Sequence, residues 1–282
     1  MKKLRLLPLL LALPFLSGCH SSYSIGTYEN ADKYLVGSQT YEGVLETLDI
    51  DWLAGRIEFI SDESINGMKL VEENTLPDGD KVHSYYHDGI LQVKFMESGR
   101  RSSFDPNEKK LYLTYNPTEV KKFGIALTSG TLVAPKIVAK ESVNIVMTSG
   151  TSSFEGIESP SVNVTFTSGS FTCKELKTTK ASLGATSGNM NISNIDVDEI
   201  NADMTSGNLT FSFARFVSSR LDMTSGNLNV TLPSDGGIVS VSKRSGSVTT
   251  SRECTIVGDI YTFGTSQSKM SINVTSGRVV LA

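Results

Sequence analysis

The tripeptide Thr-Ser-Gly begins at Thr128, Thr148, Thr167, Thr186, Thr205, Thr224 and Thr275, and Arg244-Ser245-Gly246 takes the place of a further copy between the last two. Successive steps are 20, 19, 19, 19, 19 and 20 residues, then 31. Self-similarity at a fixed short period is the mark of a repeat architecture, in which one unit cannot bury its own apolar face and stacked units can. No other feature of the chain restricts its fold so tightly.

With the glycine of each signature as origin, apolar residues fall in columns. Three places before it stand Leu127, Met147, Phe166, Ala185, Met204, Met223 and Val274, and five before it Ile125, Ile145, Val164, Leu183, Ala202, Leu221 and Ile272. Two places after it come Leu132, Ser152, Phe171, Met190, Leu209, Leu228 and Val279, and four after it Ala134, Phe154, Cys173, Ile192, Phe211, Val230 and Leu281. Alternation with polar residues on both sides of the glycine is the period of a half-buried strand. Each repeat therefore predicts a strand, a corner and a second strand. Ile137, Ile157, Leu176 and Ile195, seven places after the glycine, predict a third short strand or the inside of a return bend.

An antiparallel sandwich does not demand a constant register of this length. The expected fold is all-β: a parallel β-solenoid with coils of about 19 residues, right-handed because parallel crossovers take that hand. In the segment MTSGNL, which occurs at Met204 and again at Met223, the alternation sends Met223 inward, Thr224 outward, Ser225 inward at the corner, Asn227 outward and Leu228 inward. Gly150, Gly169, Gly188, Gly207 and Gly226 are the structural corners, where a residue without a Cβ permits the tight bend.

The same ruler fits an earlier stretch, where Gly55 takes the origin and Ile50, Trp52, Ile57 and Phe59 point inward as a degenerate first coil. Turn signals at Asn66-Gly67, Pro77-Asp78-Gly79 and Asp88-Gly89 separate the strand-like MKLVEE, KVHSYYH, ILQVKFM and KLYLTY, predicting an N-terminal β-meander cap. The long last step, with Cys254 and DIYTF, predicts a hairpin-like protrusion that shields the last sheet edges.

At the N-terminus, MKKLRLLPLLLALPFLSGC opens with basic residues, runs through an apolar stretch from Leu6 to Leu16 and closes on Leu16-Ser17-Gly18-Cys19. That order describes a secretory signal peptide ending in a lipobox, with Cys19 the acylated first residue of the mature chain. Two or three acyl chains hold a protein on a membrane far better than one does. The expected organisation is a signal peptide over 1–18, a lipidated N-terminus and tether over 19–40, a capping coil with the meander insertion over 41–118, and the repetitive solenoid over 119–282. The expected location is the extracytoplasmic face of a bacterial cell membrane, with the N-terminal lipid as the membrane contact.

Loss of the leader with its three basic residues takes the net charge from −4 to −7. A nucleic-acid partner needs the opposite sign. His83 and His87 share one face of a strand but gain no third ligand at metal spacing, and the reading there is a solvated hairpin. Asp78-Gly79-Asp80 lacks the later acidic ligands of a calcium loop and reads as a turn. Cys173 falls in an inward column and reads as a buried thiol; in an exported chain a disulfide with Cys254 is open. No metal site and no cofactor is expected. Asp196, Asp198 and Glu199 are the nearest approach to an acidic catalytic cluster, and no Gly-x-Ser-x-Gly elbow surrounds any serine. The Asn-x-Ser/Thr triplets at Asn163, Asn191, Asn208, Asn229 and Asn273 follow from the ladder grammar itself.

The segment Ala31-Asp32-Lys33-Tyr34 through Val36-Gly37, the coil Leu48-Asp49-Ile50-Asp51-Trp52 with Gly55, the strand Gly89-Ile90-Leu91-Gln92-Val93-Lys94-Phe95 and the Ser-Gly corners carry a resemblance. In these the chain resembles the bacterial "putative adhesin" β-solenoid proteins, catalogued as a domain of unknown function, from about Tyr28 to Ala282. The resemblance implies the solenoid and supplies no catalytic residues. The expected function is a non-catalytic, lipid-anchored surface module that binds a cell-envelope polysaccharide or protein partner. Its candidate binding ladder is Thr148, Thr167, Thr186, Thr205 and Thr224 with Asn189, Asn208 and Asn227. An accessory of an envelope-stress system with a membrane partner is the second reading, because some relatives resemble such accessories; a glycan-active β-helix enzyme is the third.

Overall fold

In Lys122–Leu127 the side chains of Phe123, Ile125 and Leu127 are buried while Ala126 is exposed, and Ser142–Met147 and Ser161–Phe166 repeat the pattern. Strands patterned alike stack alike. In this computed structural model, which describes residues 21–282, they pair in parallel and in register, so that Ile50, Ile125, Ile145, Val164, Leu183 and Ala202 form one continuous row. The row is buried throughout. Each fully buried aliphatic side chain contributes about 1.5–3 kcal/mol relative to its exposed state, a gain that needs a neighbour above and below. Stacking is what supplies those neighbours.

After the corner the chain continues as Thr131–Val138 or Thr151–Glu158. In the latter Ser152 and Phe154 face inward, and then Gly156 and Ile157 are buried in succession. That break in phase is a bend. On one side of it residues 151–154 pair with Ser170–Cys173, and on the other Ile157 and Glu158 pair with Leu176 and Lys177. The seventh-place column is therefore a third short strand, with Ile137, Ile157, Leu176 and Ile195 all buried.

The corner differs from strict alternation in one respect. Ser206 and Ser225 are exposed, and Ser129, Ser149, Ser168 and Ser187 are half-exposed, so the signature serine points out and not in. The turn uses Thr, Ser and Gly together to round an edge between two sheets, which interrupts the in-out sequence. Where the serine hydroxyl finds a partner it is a backbone carbonyl of the coil before: Ser129 Oγ donates to Leu53 O at 3.0 Å and Ser149 Oγ to Thr128 O at 3.3 Å. Gly226 has φ 132°, and a Cβ there would strike the carbonyl oxygen of Gly207 one coil earlier. Gly150, Gly169, Gly188 and Gly207 repeat the arrangement, each over the glycine before it.

At the C-terminal end the spatial order departs from the order along the chain. Lys269–Leu281 lies between the coil ending in Thr231 and the strand Gly236–Thr250, pairing in parallel with both. Gly277 stacks on Gly226, and Gly246 stacks on Gly277. The Arg244-Ser245-Gly246 corner is thus outermost, not intermediate between the signatures at Thr224 and Thr275. The predicted protrusion is a hairpin of Thr255–Val257 and Ile260–Gly264.

The opposite end is closed by residues 21–118. Ile90–Lys94 pairs in parallel with Thr47–Trp52, and Lys110–Tyr115 with Arg56–Ser61, so these two segments form a further coil below the one centred on Gly55. Met68–Glu73 and His83–His87 pair with them antiparallel. The cap is fastened by a buried charge. Lys109, fully excluded from solvent, places Nζ 3.0 Å from Glu72 Oε1, donates to the Asp80 carbonyl, and sits 4.5 Å from the centroid of the Phe95 ring and 5.5 Å from that of Trp52. Burial pushes its amine below the ordinary lysine range, and the Glu72 carboxylate opposes that shift. His83 is buried too, its Nδ1 3.0 Å from the Lys81 carbonyl, so only His87 of the pair has the solvent contact expected of both.

Candidate functional site

Because the coils stack in register, any residue that recurs at one place becomes a row along the solenoid. Thr148, Thr167, Thr186, Thr205 and Thr224 form such a row, all exposed. Among the described residues none of their hydroxyls has a hydrogen-bond partner. Two places earlier, also outward, stand Val146, Thr165, Gly184, Asp203 and Asp222. Between the two rows the surface sinks into two shallow depressions of about 430 and 410 Å³, the first between Val146 and Thr205 and the second running on to Thr224 and Thr275. Asp203 and Thr205 line both, so the depressions read as one groove parallel to the solenoid axis.

The groove is polar without being strongly charged. Asp222 is held on two sides, accepting from Asn273 Nδ2 at 2.6 Å and from Arg220 Nε at 2.7 Å. Asp203 has no such partner among the described residues. Gly184 leaves a gap in the wall, since a Cβ built there would meet only Thr165 Cγ2 at 3.4 Å and a second atom of the same side chain farther off. Val146, Asp203 and Asp222 were readable with the ruler that marks the threonines, because they fall four places before the glycine in an outward column.

The asparagines of the candidate ladder lie beyond the corner and are engaged with each other. Asn227 Nδ2 donates to Asn208 Oδ1 at 2.9 Å, and Asn208 Nδ2 donates to Asn189 Oδ1 at 2.7 Å. A primary amide has two N–H donors and two acceptor lone pairs, so Asn208, in the middle of the run, keeps one of each unused, and Asn189 and Asn227 at its ends keep more. The face before the corner adds a rung of its own, with Asn163 Nδ2 donating to Asn144 Oδ1 at 2.6 Å.

The residues weighed for chemistry are occupied structurally. Arg215 Nε donates to Asp196 Oδ1 at 2.7 Å and its Nη2 to Asp198, while Glu199 lies 3.7 Å from Lys180 Nζ. Cys173 is buried in its column, donates to the Glu175 carbonyl at 3.1 Å, and burial pushes its thiol up to about 12, which suppresses the nucleophilic thiolate. It forms no disulfide with Cys254. Asp78 to Asp80 is a single 3₁₀ turn, with Asp80 turned inward to Arg100 at 2.8 Å. Among the described residues no group of three His, Cys, Asp or Glu side chains is placed to hold a metal ion, and no helix is long and apolar enough to cross a membrane. Cys19 and the leader lie outside the described residues.

A family model described as Toastrack DUF4097 matches residues 78–282. No curated protein matches. Among solved structures, a "putative adhesin" from Bacteroides fragilis aligns at 11% identity and TM-score 0.57, covering 88% of this chain and 97% of its own. A "putative adhesin" from Parabacteroides merdae aligns at 13% identity and TM-score 0.42, covering 91% and 99%. A "putative lipid binding protein" from Parabacteroides distasonis aligns at 11% identity and TM-score 0.49, covering 87% and 96%.

Proposed function

The chain belongs to the Toastrack DUF4097 family, and from that premise we propose that it is a non-catalytic binding module, held at the extracytoplasmic face of a bacterial membrane by a lipid on Cys19, which grips an extended polysaccharide of the cell envelope along its threonine-lined groove. The observation that carries the reading is the row of five exposed, unpartnered hydroxyls from Thr148 to Thr224, one per coil, beside a groove that follows the solenoid axis. Parallel strands repeat every 4.7–4.9 Å or so, which sets hydroxyls at a spacing that a linear chain of sugars can meet repeatedly. Each contact is weak, and many in line add up through multivalency. The name carried by the Bacteroides fragilis protein agrees with a surface-binding role.

The net charge of the chain disfavours nucleic acid and strongly acidic polymers, so a neutral or amino-sugar polymer is the class to test. Co-sedimentation of the purified protein with insoluble cell-wall polysaccharide, and an array of soluble envelope glycans, measure the binding. Replacing Thr167, Thr186 and Thr205 together with Val should abolish retention while circular dichroism and melting stay unchanged. Retention equal to the parent protein, or no glycan bound by the parent, overturns the reading. Cys19→Ala should free an otherwise normally exported chain from the membrane fraction; retention of that variant overturns the lipid anchor.

A further inference from the structure

The solenoid is closed at one end and open at the other. Strand Gly236–Thr250 is the outermost of the stack and pairs along residues 238–250 with Lys269–Leu281. Its other edge meets Ile260–Gly264 only over residues 236–240, followed by one further bond from Val241 N–H to the Asp259 carbonyl at 2.9 Å. Beyond that point, residues 242–250 have no strand on that side among the described residues. An unpaired run of backbone donors and acceptors is a template for another strand.

We propose that this free edge pairs antiparallel with the same edge of a second copy, giving a two-fold, end-to-end dimer in which Lys243 lies opposite Val248 of the partner copy. Four observations converge on that occupant. The edge is bent, because it turns the corner at Arg244-Ser245-Gly246 with Gly246 at φ 114°. A straight peptide cannot follow both arms, whereas a two-fold axis through the corner lays one arm of each copy on the other arm of its mate.

Backbone direction then selects the register. Val241 N–H points to the free side, so Lys243, two residues on, presents its backbone to the same side. On the second arm Ser251 N–H points back to Leu281 O at 2.9 Å, so Thr250 and Val248 present their backbone groups to the free edge. Pairing the free backbone groups of one arm with those of the other sets Lys243 against Val248 and carries Arg244 opposite Ser247, while Val241, already bonded to the Asp259 carbonyl, stays outside the new ladder. No like charges oppose each other in this register. A register slipped until the two-fold axis falls at Lys243 and Arg244 would set the basic pair against its own copy, which is how charged residues on an edge disfavour one wrong pairing.

The fourth observation is apolar. Ile256, Val257 and Ile260 are 55%, 70% and 45% exposed, and they sit together on the hairpin that borders the open run. Exposed apolar groups gathered at one place mark an interaction surface. The cap end is covered by strands paired antiparallel, Met68–Glu73 and His83–His87.

Sedimentation equilibrium of the full chain in density-matched detergent tests the proposal. The parent protein should sediment as a dimer. Val248→Lys, which sets lysine against Lys243 twice across the axis, should raise the dissociation constant at least tenfold, and Lys243→Glu combined with Val248→Lys should restore the dimer by making two opposite-charge pairs. Far-UV circular dichroism confirms that all three proteins fold. A parent chain that is monomeric at every concentration, a Val248→Lys variant as dimeric as the parent, or a charge swap that fails to rescue would each overturn it.

Discussion

Asn208 donates one amide hydrogen to Asn189 and accepts one from Asn227, at 2.7 and 2.9 Å, so three residues from three coils form a chain of side-chain hydrogen bonds on the outside of the stack. Among the described residues the neighbouring Thr205 hydroxyl makes none. The two kinds of row flank the same corner and differ in what they already do: the asparagines link coil to coil, and the threonine hydroxyls are unpartnered.

That division predicts opposite phenotypes. Asn208→Ala breaks two of these bonds and should cost about 1–2 kcal/mol in urea unfolding, with glycan retention changed only in proportion to any unfolding. Thr205→Val should leave stability within about 0.5 kcal/mol and weaken retention. Equal effects of both on stability would contradict the assignment.

The glycines divide in the same way. Gly207 has φ 127°, and a Cβ there would run into the Gly188 carbonyl, so Gly207→Ala should lose about 3 kcal/mol or more. Gly184 lies in an ordinary strand conformation with space around it, and Gly184→Ala should be neutral or stabilising by about 0.5 kcal/mol. Thermal melts of the two variants make the comparison directly.

The Lys109–Glu72 pair should behave as a buried charge pair and not as a surface one. Glu72→Gln or Lys109→Met alone leaves a charge without its partner and should cost about 3–5 kcal/mol. The double variant Glu72→Met with Lys109→Met should lose less than either single change, because no unpaired charge remains. A double-mutant cycle in denaturant reads the coupling.

Asp80 predicts the acid response of the cap. Burial acts to raise its carboxyl, but hydrogen bonds from Arg100 and Ser102 and the charge of Arg100 outweigh it, so the group titrates below its ordinary value of 3.8. A depressed folded value means that the unfolded chain binds more protons in this range. The stability Asp80 contributes is therefore complete above 3.8 and is lost as pH falls through the folded value. The gap in melting temperature between the parent and Asp80→Asn should stay constant from neutral pH down to about 4.5 and shrink below it.

Much of the fold is legible because its signals are local. The in-out alternation around each Ser-Gly corner identifies Ile125, Met147, Phe171 and Leu228 as core with no knowledge of their neighbours. What the period cannot supply is the identity of the neighbouring coil. Gly277 and Gly246 carry equivalent corners, either of which fits over Gly226, and the long step between them lets the chain place the later one first. Lys109 and Glu72 are 37 residues apart with no periodic relation, so nothing in the pattern joins them. The serine of the signature was misplaced by extending strand alternation through a turn. For the groove, the threonine row is visible in the repeat, while its second wall emerges only when outward columns are read as carefully as inward ones.

The insertion of Lys269–Leu281 between two strands that precede it in the chain has a temporal consequence. During synthesis, the strand Gly236–Thr250 emerges before the strand it pairs with along most of its length, and the coil ending at Thr231 waits with its upper edge bare. The regular coils can accrete one after another as they appear; the last two layers must close together, after residue 281 is free. A nascent chain stalled before Lys269 would therefore present two incomplete sheet edges instead of one, and its exposure to aggregation is greatest in that interval.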